Sequence, residues 1–365
     1  MSDSPLLFAN LGAEEGDGWR RMAAHPRVRA AARLWAALFP AEAAHAEALG
    51  PSAALAPELA GDRAALEPCE SLAGLVPWLS TDEAASLAKR QRVALAAPPP
   101  DVVAAVHDKA FALGIALELG LLPPEIADTA FALDPGELGA ADTVRCRIED
   151  ALARWPAELR EEFVLKPRLG TSGRGRLTGR DGRLDPESLK GNLPRFRERG
   201  GVIVEPWLER SADLSAQLWI VGPGDVRLLG TLGQVVTPAG VPLGHCGIVT
   251  AEGGIESGSP WDGELRAAAF ALADAAAAAG YAGPCGLDAF TYRASDGRER
   301  FRAVVEWNAR FTGGTSALGL LARARRAGWL DGASAFALGV APSPVEGRRY
   351  ALFADDPELA LWVAE

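Results

Sequence analysis

The chain has 365 residues, of which 48% are hydrophobic and 23% are charged, and this balance is typical of a globular protein. Its length predicts two or three domains with an ample buried core. The 37 basic and 48 acidic residues give a net charge of −11, which disfavours nonspecific binding to nucleic acid or to an anionic membrane.

The sequence gives little indication of a signal peptide, a membrane span or a disulfide framework. The N-terminal residues lack the basic segment and apolar stretch of a signal peptide, so none is expected. The alanine-rich segment 267–279 contains Asp274 and is too short to span a bilayer. The four cysteines form no C-x-x-C pair, which argues against a disulfide framework or a zinc site. We therefore expect a cytoplasmic protein with reduced thiols.

The N-terminal part of the chain predicts an α/β domain. Residues 6–11 form an apolar run typical of a strand, and residues 19–39 show helical periodicity. Residues 92–96 predict another short strand. The consecutive prolines at 98–100 then break the chain, so we expect the first domain to cover 1–100.

The middle of the chain mixes helix and strand. Asp101 can cap a helix that carries Lys109. Residues 162–167 predict a strand whose penultimate residue is a lysine, and the glycine-containing loop 170–175 follows it. Residues 202–208 predict another strand, because an apolar run there is ended by a proline.

The C-terminal part predicts a helix followed by a β-hairpin. Residues 264–279 have the helical pattern, and Gly280 is suited to end that helix. Residues 284–292 predict one strand, and residues 301–310 predict a second strand that starts with an apolar run. The segment between them contains Asp-Gly, which is a strong hairpin signal.

Polar residues alternate at the end of the second hairpin strand. Glu306, Asn308 and Arg310 would share one face of that strand, because side chains two apart point the same way. A carboxylate with an amide oxygen suits Mg²⁺, and an arginine can hold anionic oxygens during phosphoryl or acyl transfer. The alternative is a sheet face on which Arg310 forms a salt bridge with Glu306.

A second carboxylate belongs to the first hairpin strand. If the turn centres near Gly297, Asp288 falls opposite Glu306. Two facing carboxylates repel unless a cation lies between them, so this register favours a metal site. A register shift of one residue would separate them.

Other residues suit a nucleotide. The ammonium of Lys166 can neutralise phosphates that the backbone N–H groups of the loop 170–175 cradle, although this loop is neither a P-loop nor a dinucleotide fingerprint. Glu205 can accept a hydrogen bond from an adenine amino group, Asp213 can hold a ribose hydroxyl, and Lys109 can reach a phosphate. The alternative for each is an ordinary solvated side chain.

In chain order, these residues resemble the pattern of the ATP-grasp superfamily over about 100–320. The resemblance implies an α/β and α+β fold in which ATP lies between two α+β subdomains. Residues 1–100 would be an N-terminal α/β pre-ATP-grasp domain. Residues 101–205 would be the small lid subdomain with its preceding helix. Residues 206–365 would be the large subdomain, with the metal site and C-terminal helices.

The resemblance also implies roles for individual residues. It implies two catalytic groups, Arg310 and Lys166. It implies metal ligands for one or two Mg²⁺ ions, with Mn²⁺ as an alternative, at Asp288, Glu306 and Asn308. It implies an ATP site formed by Lys109, Lys166, Gly170, Ser172, Gly173, Gly175, Glu205, Trp207, Leu208 and Asp213.

A looser likeness to ligases that join amino acids or peptides implies the reaction. The expected enzyme is an ATP-dependent carboxylate–amine ligase that forms an amide through an acyl-phosphate and releases ADP. Its expected partners are a small-molecule carboxylate and an amine, without nucleic acid or membrane, and a homodimer is left open. Gln234 and His245 are candidates for substrate contact. The alternatives are an ATP-grasp kinase or carboxylase, or a nucleotide-binding module without turnover.

Overall fold

A computed structural model describes residues 4–47, 55–170, 174–237, 242–340 and 342–364, with the backbone alone at positions 17 and 357. The chain divides into two compact units. Unit 1 comprises Met1–Val106, Asp213–Asp288 and Asn308–Glu365, and unit 2 comprises His107–Ala212 and Ala289–Trp307. The predicted three-domain division at residues 100 and 205 stays a prediction.

Helices occur in both units. The α-helices are α1 Trp19–Ala23, α2 Pro26–Ala36, α3 Glu67–Glu70, α4 Asp82–Gln91, α5 Pro100–His107, α6 Lys109–Glu118, α7 Pro124–Ala127, α8 Ala141–Leu152, α9 Ala157–Arg160, α10 Pro186–Glu198, α11 Asp262–Ala278 and α12 Gly313–Arg326. Short 3₁₀ helices lie at Ala13–Gly18, Pro57–Leu59 and Pro135–Glu137. Among the described residues, no helix is long and apolar enough to cross a membrane.

Strands also occur in both units. They are β1 Pro5–Phe8, β2 Ala44–His45, β3 Gly74–Pro77, β4 Phe131–Leu133, β5 Glu162–Pro167, β6 Leu177–Arg180, β7 Val202–Pro206, β8 Arg210–Gly222, β9 Asp225–Val236, β10 Pro242–Val249, β11 Ile255–Glu256, β12 Gly283–Arg293, β13 Glu299–Asn308, β14 Ala335–Val340, β15 Arg348–Phe353 and β16 Asp356–Ala364.

The described residues of unit 1 form two sheets. The strands β2-β1-β3 form a small parallel sheet, and antiparallel strands follow the order β8-β9-β10-β14-β16-β15. The part of β12 up to residue 288 lies next to β8. Helix α12 contributes Leu318 and Leu321 to the core against the larger sheet. Gly319 lets this helix approach the segment after α2 closely, since a Cβ at this position would lie 2.1 Å from Leu38 Cδ2.

Unit 2 is built on the antiparallel sheet β4-β7-β5-β6. Helices α8 and α10 pack together, and their residues Ile148 and Phe196 join Phe163 of β5 in one apolar core. The strand β13 lies next to β12. Their connection confirms the predicted hairpin, because the Ala294 N–H donates to the Arg298 carbonyl at 2.9 Å and Gly297 has a φ of +80°.

Several sequence-based elements are confirmed in place, with small differences at their ends in two of them. The predicted strand 162–167 coincides with β5, and the predicted strand 202–208 is β7, which ends at Pro206. The predicted helix 264–279 is α11, which is followed by Gly280 with a left-handed φ of +89°.

The predicted helix 19–39 is wrong as a single element. It is two helices, because Pro26 requires an extended residue before it and begins α2. His25 is that extended residue, and its side chain accepts a hydrogen bond from the Arg27 N–H at 3.2 Å. A local capping arrangement therefore interrupts the helical periodicity.

The predicted helix from Asp101 through Lys109 is also two helices, α5 and α6. Asp108 is extended between them, and it caps α6 by accepting a hydrogen bond from the Ala110 N–H at 2.8 Å. Asp101 lies in the first turn of α5 and does not precede that helix. The predicted strand 92–96 is reduced to an isolated bridge between Leu95 and Leu75.

Candidate active site

In unit 2, Lys109 lies beside the predicted metal-binding carboxylate of Glu306. Its Nζ is 3.0 Å from Glu306 Oε1 and also donates to the Gly170 carbonyl at 3.0 Å. The Lys109 and Glu306 side chains are only 13% and 19% exposed, respectively. Lys109, which is predicted to bind phosphate, therefore contacts both Glu306, a predicted metal ligand, and Gly170, the first residue of the predicted phosphate loop.

The position of Lys109 depends on a pair that sequence reasoning missed. Arg168 donates from Nε to both Asp108 carboxylate oxygens at 3.0 Å, and from Nη2 to Oδ2 at 2.6 Å. This hydrogen bonding raises the pKa of Arg168 above its usual value. Because Asp108 also caps α6, the pair fixes the turn from which Lys109 extends.

Lys166 belongs to a buried charged triad. It forms an ion pair with Oε1 of Glu205, and Arg302 Nη2 lies 2.6 Å from Oε2 of the same carboxylate. Burial opposes ionisation of Glu205, but the positive charges of Arg302 and Lys166 outweigh this effect and hold the pKa of Glu205 well below its usual range. The predicted adenine-binding carboxylate is therefore held between two cations.

The segment after β7 carries the predicted adenine hinge. The Trp207 N–H donates to the Glu162 carbonyl at 2.9 Å, and the Arg176 guanidinium lies 4.8 Å from the centre of its ring. Leu208 follows in the connection to β8. Gly170 and Gly175 are described, and Gly175 has a φ of +70°. The predicted residues Ser172 and Gly173 lie outside the described residues.

In unit 1, neutral amide groups hold the carboxylate of Asp288. Gln234 Nε2 donates to Oδ1 at 2.7 Å, and Asn308 Nδ2 donates to Oδ2 at 3.0 Å. Asn308 is almost fully buried. Two of the three predicted metal ligands therefore lie side by side, with Gln234 as a neighbour.

Strand pairing aligns further candidates with Gln234. Asp213 of β8 and His245 of β10 are both its direct cross-strand partners. Directly paired residues share one face of a sheet, so these side chains form a row beside Asp288.

His245 also lies against the start of α12. Its Nε2 would be 3.3 Å from a Cβ placed on Gly313. Burial lowers the pKa of this imidazole to about 4, so it is neutral at pH 7. Its Nδ1 is buried and has no hydrogen-bond partner among the described residues. These features leave His245 as a candidate for polar substrate contact.

Arg310 lies just beyond the end of β13, in unit 1. It forms an ion pair with Glu14, whose side chain is 1% exposed, and its guanidinium lies 5.5 Å from the centre of the Trp78 ring. Its Nη1 donates to the Phe311 carbonyl at 2.8 Å. Sequence reasoning missed Glu14, because nothing in the acidic glycine-rich segment around it indicates a distant arginine.

The predicted metal ligands belong to different units, since Glu306 is in unit 2 while Asp288 and Asn308 are in unit 1. Within the described ranges, no cluster of three His, Cys, Asp or Glu side chains is arranged to hold a metal ion. The predicted set has two carboxylates and one amide. A metal site shared by these three residues therefore stays a prediction.

No protein-family model matches the sequence, and comparison with curated proteins finds no match. Solved structures do resemble it. The biotin carboxylase domain of the Hydrogenobacter thermophilus 2-oxoglutarate carboxylase, solved with MgADP, ADP and bicarbonate, is 14% identical with a TM-score of 0.52. That match covers 99% of this chain and 86% of the domain.

Two further structures are similar. Rhizobium etli pyruvate carboxylase is 15% identical with a TM-score of 0.52, over 100% of this chain and 36% of that one. D-cycloserine synthetase is 16% identical with a TM-score of 0.48, over 90% of this chain and 99% of that one.

The two carboxylases are ATP-grasp enzymes, and this chain has the ATP-grasp fold. The predicted fold class, mixed α/β and α+β with an N-terminal α/β part, is thereby confirmed. At sequence identities of 14% and 15%, this structural likeness establishes the fold and not the reaction.

Proposed function

We propose that the chain is an ATP- and Mg²⁺-dependent ligase that joins a carboxylate to an amine through an acyl-phosphate. One observation carries the proposal. Within an ATP-grasp fold, residues predicted for phosphate, adenine and metal contact each other in pairs at partly or fully buried positions. These pairs are Lys109 with Glu306, Lys166 with Glu205, and Asn308 with Asp288. Charged and polar groups buried in this way are expensive unless a ligand or partner uses them.

ATP would be held mainly by groups of unit 2. Lys109 and Lys166 would bind its phosphates, and the loop 170–175 is our candidate for backbone contacts to the same phosphates. Both oxygens of Glu205 already meet cations, so we assign adenine recognition to the backbone from 205 to 208. Trp207 would supply apolar surface there. Asp213 is the candidate for a ribose hydroxyl.

Mg²⁺ fits the chemistry of the predicted donors. Asp288 and Glu306 offer carboxylate oxygens, and Asn308 offers an amide oxygen if its side chain rotates, which is the set of hard ligands that Mg²⁺ prefers. The hydrogen bonds to Asp288 from Gln234 and Asn308 come from neutral groups, so they leave its negative charge in place for a cation. When bound, the ion would neutralise phosphate charge and align the transferring group.

The reaction has two displacement steps. A substrate carboxylate oxygen attacks the γ-phosphorus of ATP, the bond to the β,γ-bridging oxygen breaks, and ADP leaves. The amine nitrogen then attacks the acyl carbon, phosphate leaves with the former carboxylate oxygen, and the nitrogen loses a proton to give the amide. Lys166 and Arg310 would stabilise developing negative charge, an effect worth about 10²–10³-fold for a key donor.

An acceptor screen tests this proposal. The protein is incubated with ATP, Mg²⁺ and mixed amino acids, and ADP, phosphate and product masses are followed. The expected products are equal amounts of ADP and phosphate, with a new mass equal to the two acceptors less one water. Omission of either acceptor should stop the amide. ATP binding without ADP release in any mixture would contradict the ligase and favour a module without turnover.

A carboxylase is the second candidate. It is favoured by the two solved structures with TM-scores of 0.52, both of which are carboxylases. Bicarbonate would then replace the organic carboxylate as the group that is phosphorylated. ADP release that depends on bicarbonate, with a product heavier by carbon dioxide, would identify this reaction. Stable phosphate on a single acceptor would indicate a kinase.

A further inference from the structure

Arg302 has no place in the sequence pattern, yet it completes the triad of Lys166 and Glu205 in unit 2. Its side chain is 3% exposed. Nη2 lies 2.6 Å from Glu205 Oε2, Nε donates to the Val304 carbonyl at 3.1 Å, and the guanidinium lies 5.6 Å from the centre of the Phe290 ring. These contacts bury Arg302 too deeply for it to touch a ligand directly.

The charges of the triad do not cancel. Glu205 supplies one negative charge, and Lys166 and Arg302 supply two positive charges, so the triad has a net charge of +1. A Lys166–Glu205 pair alone would be neutral. Arg302 therefore balances the negative charge of Glu205, and the positive charge of Lys166 remains uncompensated within the triad.

That remaining charge is accessible at Lys166. Its side chain is 17% exposed, whereas the side chains of Glu205 and Arg302 are 4% and 3% exposed. An uncompensated buried charge is unfavourable, and an anion bound at the exposed end of the triad would relieve that cost. Burial lowers the pKa of Lys166, Glu205 opposes this change, and the charges of Arg302 and Arg210 add to the lowering.

We infer that Arg302 is a positioning residue that neutralises Glu205 and thereby makes the charge of Lys166 available to the phosphates of the ligand. This inference rests on the proposed nucleotide binding and adds to it a residue that acts without touching the nucleotide. If Arg302 only supported the sheet, its substitution would change the folding stability. The change in ligand affinity would then not follow the net charge of the triad.

The test is a charge cycle measured by calorimetric titration. Arg302→Gln makes the triad neutral, Glu205→Gln raises its charge to +2, and the double variant restores +1. The ligands are ATP with Mg²⁺ and inorganic tripolyphosphate with Mg²⁺. Tripolyphosphate has no adenine, so it separates the charge effect from any contact of position 205 with the base. Arg293→Gln, an exposed arginine of the same unit, is the matched control.

The expected result follows the charge. Arg302→Gln should weaken both ligands by about tenfold or more, since one unit charge acts at short range in a poorly solvated site. The double variant should return to within about threefold of the wild type, as should Arg302→Lys. Equal binding by Arg302→Gln and wild type would overturn the inference. So would a double variant that binds no better than Arg302→Gln.

Two controls keep the outcome decisive. If Arg302→Gln does not fold, Glu205→Gln gives the answer, because it must bind tripolyphosphate at least as tightly as the wild type, and weaker binding refutes the charge argument. Failure of the proposed function looks different. A wild-type protein that binds neither ligand would refute nucleotide binding itself, and the role of Arg302 would fall with it. If the wild type binds both ligands but the affinities of the variants do not follow the net charge of the triad, only the role of Arg302 is refuted.

Discussion

The two units hold their candidate site groups by different means. In unit 2, opposite charges meet, as in Lys109 with Glu306 and in the triad around Glu205. In unit 1, Gln234 and Asn308 donate to the carboxylate of Asp288. Outside the candidate site, backbone carbonyls also accept hydrogen bonds from the buried guanidinium of Arg323. Among the candidate site residues of unit 1 that the structure describes, Arg310 departs from this pattern, because it forms an ion pair with Glu14.

This contrast has a chemical consequence. A carboxylate balanced by a cation has little charge left for a metal ion. A carboxylate held by amide dipoles keeps its charge while its geometry is fixed. The two amide hydrogen bonds to Asp288 fix its geometry without adding charge, which suits a metal ligand, and the net positive charge of the triad around Lys166 suits phosphate. Single substitutions in unit 1 should therefore show whether its neutral hydrogen-bonding groups act as this contrast predicts.

The largest effect is expected from Asp288→Asn. It should lower ADP release by about 10³-fold, equivalent to about 4 kcal/mol, because the negative charge that attracts the metal ion is lost. Its free energy of unfolding should change by less than about 1 kcal/mol, since an amide oxygen can still accept a hydrogen bond and the amide of Asn308 can rotate. Steady-state kinetics and urea unfolding measure the two quantities.

Asp274→Asn provides the control for that variant, since it removes one exposed carboxylate from α11 in the same unit. It should leave both quantities near their wild-type values. A large loss of stability in Asp288→Asn would show that the carboxylate is needed for folding, and the contrast between the units would then fail.

Arg323→Met should have the next largest effect, on stability. The Arg323 side chain is buried and donates at 2.7–3.1 Å to the carbonyls of Ala37, Phe39, Leu59 and Arg63. Methionine keeps the apolar stem but leaves these acceptors without that donor, so the free energy of unfolding should fall by about 3 kcal/mol. Chemical denaturation measures the change.

The control for this variant is Arg90→Met, at an exposed position of α4. It should change stability by less than about 0.5 kcal/mol. An equally small change in the free energy of unfolding of Arg323→Met would mean that the four carbonyls find other donors. The hydrogen bonds from Arg323 would then not be a source of stability in unit 1.

A smaller effect is expected from the pH response of His245. Its folded-state pKa of about 4 lies below the usual 6.5, so the unfolded state binds the proton more readily. Stability should be constant above pH 6.5 and should fall between pH 6.5 and pH 4. The expected loss between pH 7.5 and pH 5 is about 2 kcal/mol.

His245→Gln should remove this part of the pH dependence, as measured by denaturation at the two pH values. Identical pH curves for the variant and the wild type would contradict a neutral buried imidazole.

Local signals in the sequence predicted the hairpin and the strand before the glycine loop. The turn at Gly297 needs a positive φ, and β5 is an apolar run ended by Pro167, so both follow from the residues within them. The ATP-grasp fold was accessible because several such local elements occur in a specific order.

Contacts between distant segments were not predictable. The side chain of Asp108 accepts hydrogen bonds from Arg168, and the side chain of Arg310 forms an ion pair with Glu14. Arg302 gave no signal either, because an arginine in a strand usually faces solvent and its role depends on Glu205. A single sequence indicates which residues can do chemistry, but it does not give the partners that set their charge.

The central claim is that a carboxylate becomes an acyl-phosphate, and transfer of an oxygen isotope tests it most directly. The carboxylate found in the acceptor screen is labelled with ¹⁸O and supplied with ATP, Mg²⁺ and the amine. The mechanism predicts one ¹⁸O atom in each phosphate released, since the carboxylate oxygen leaves with the phosphoryl group. Unlabelled phosphate formed alongside the amide would contradict the acyl-phosphate and the proposed reaction.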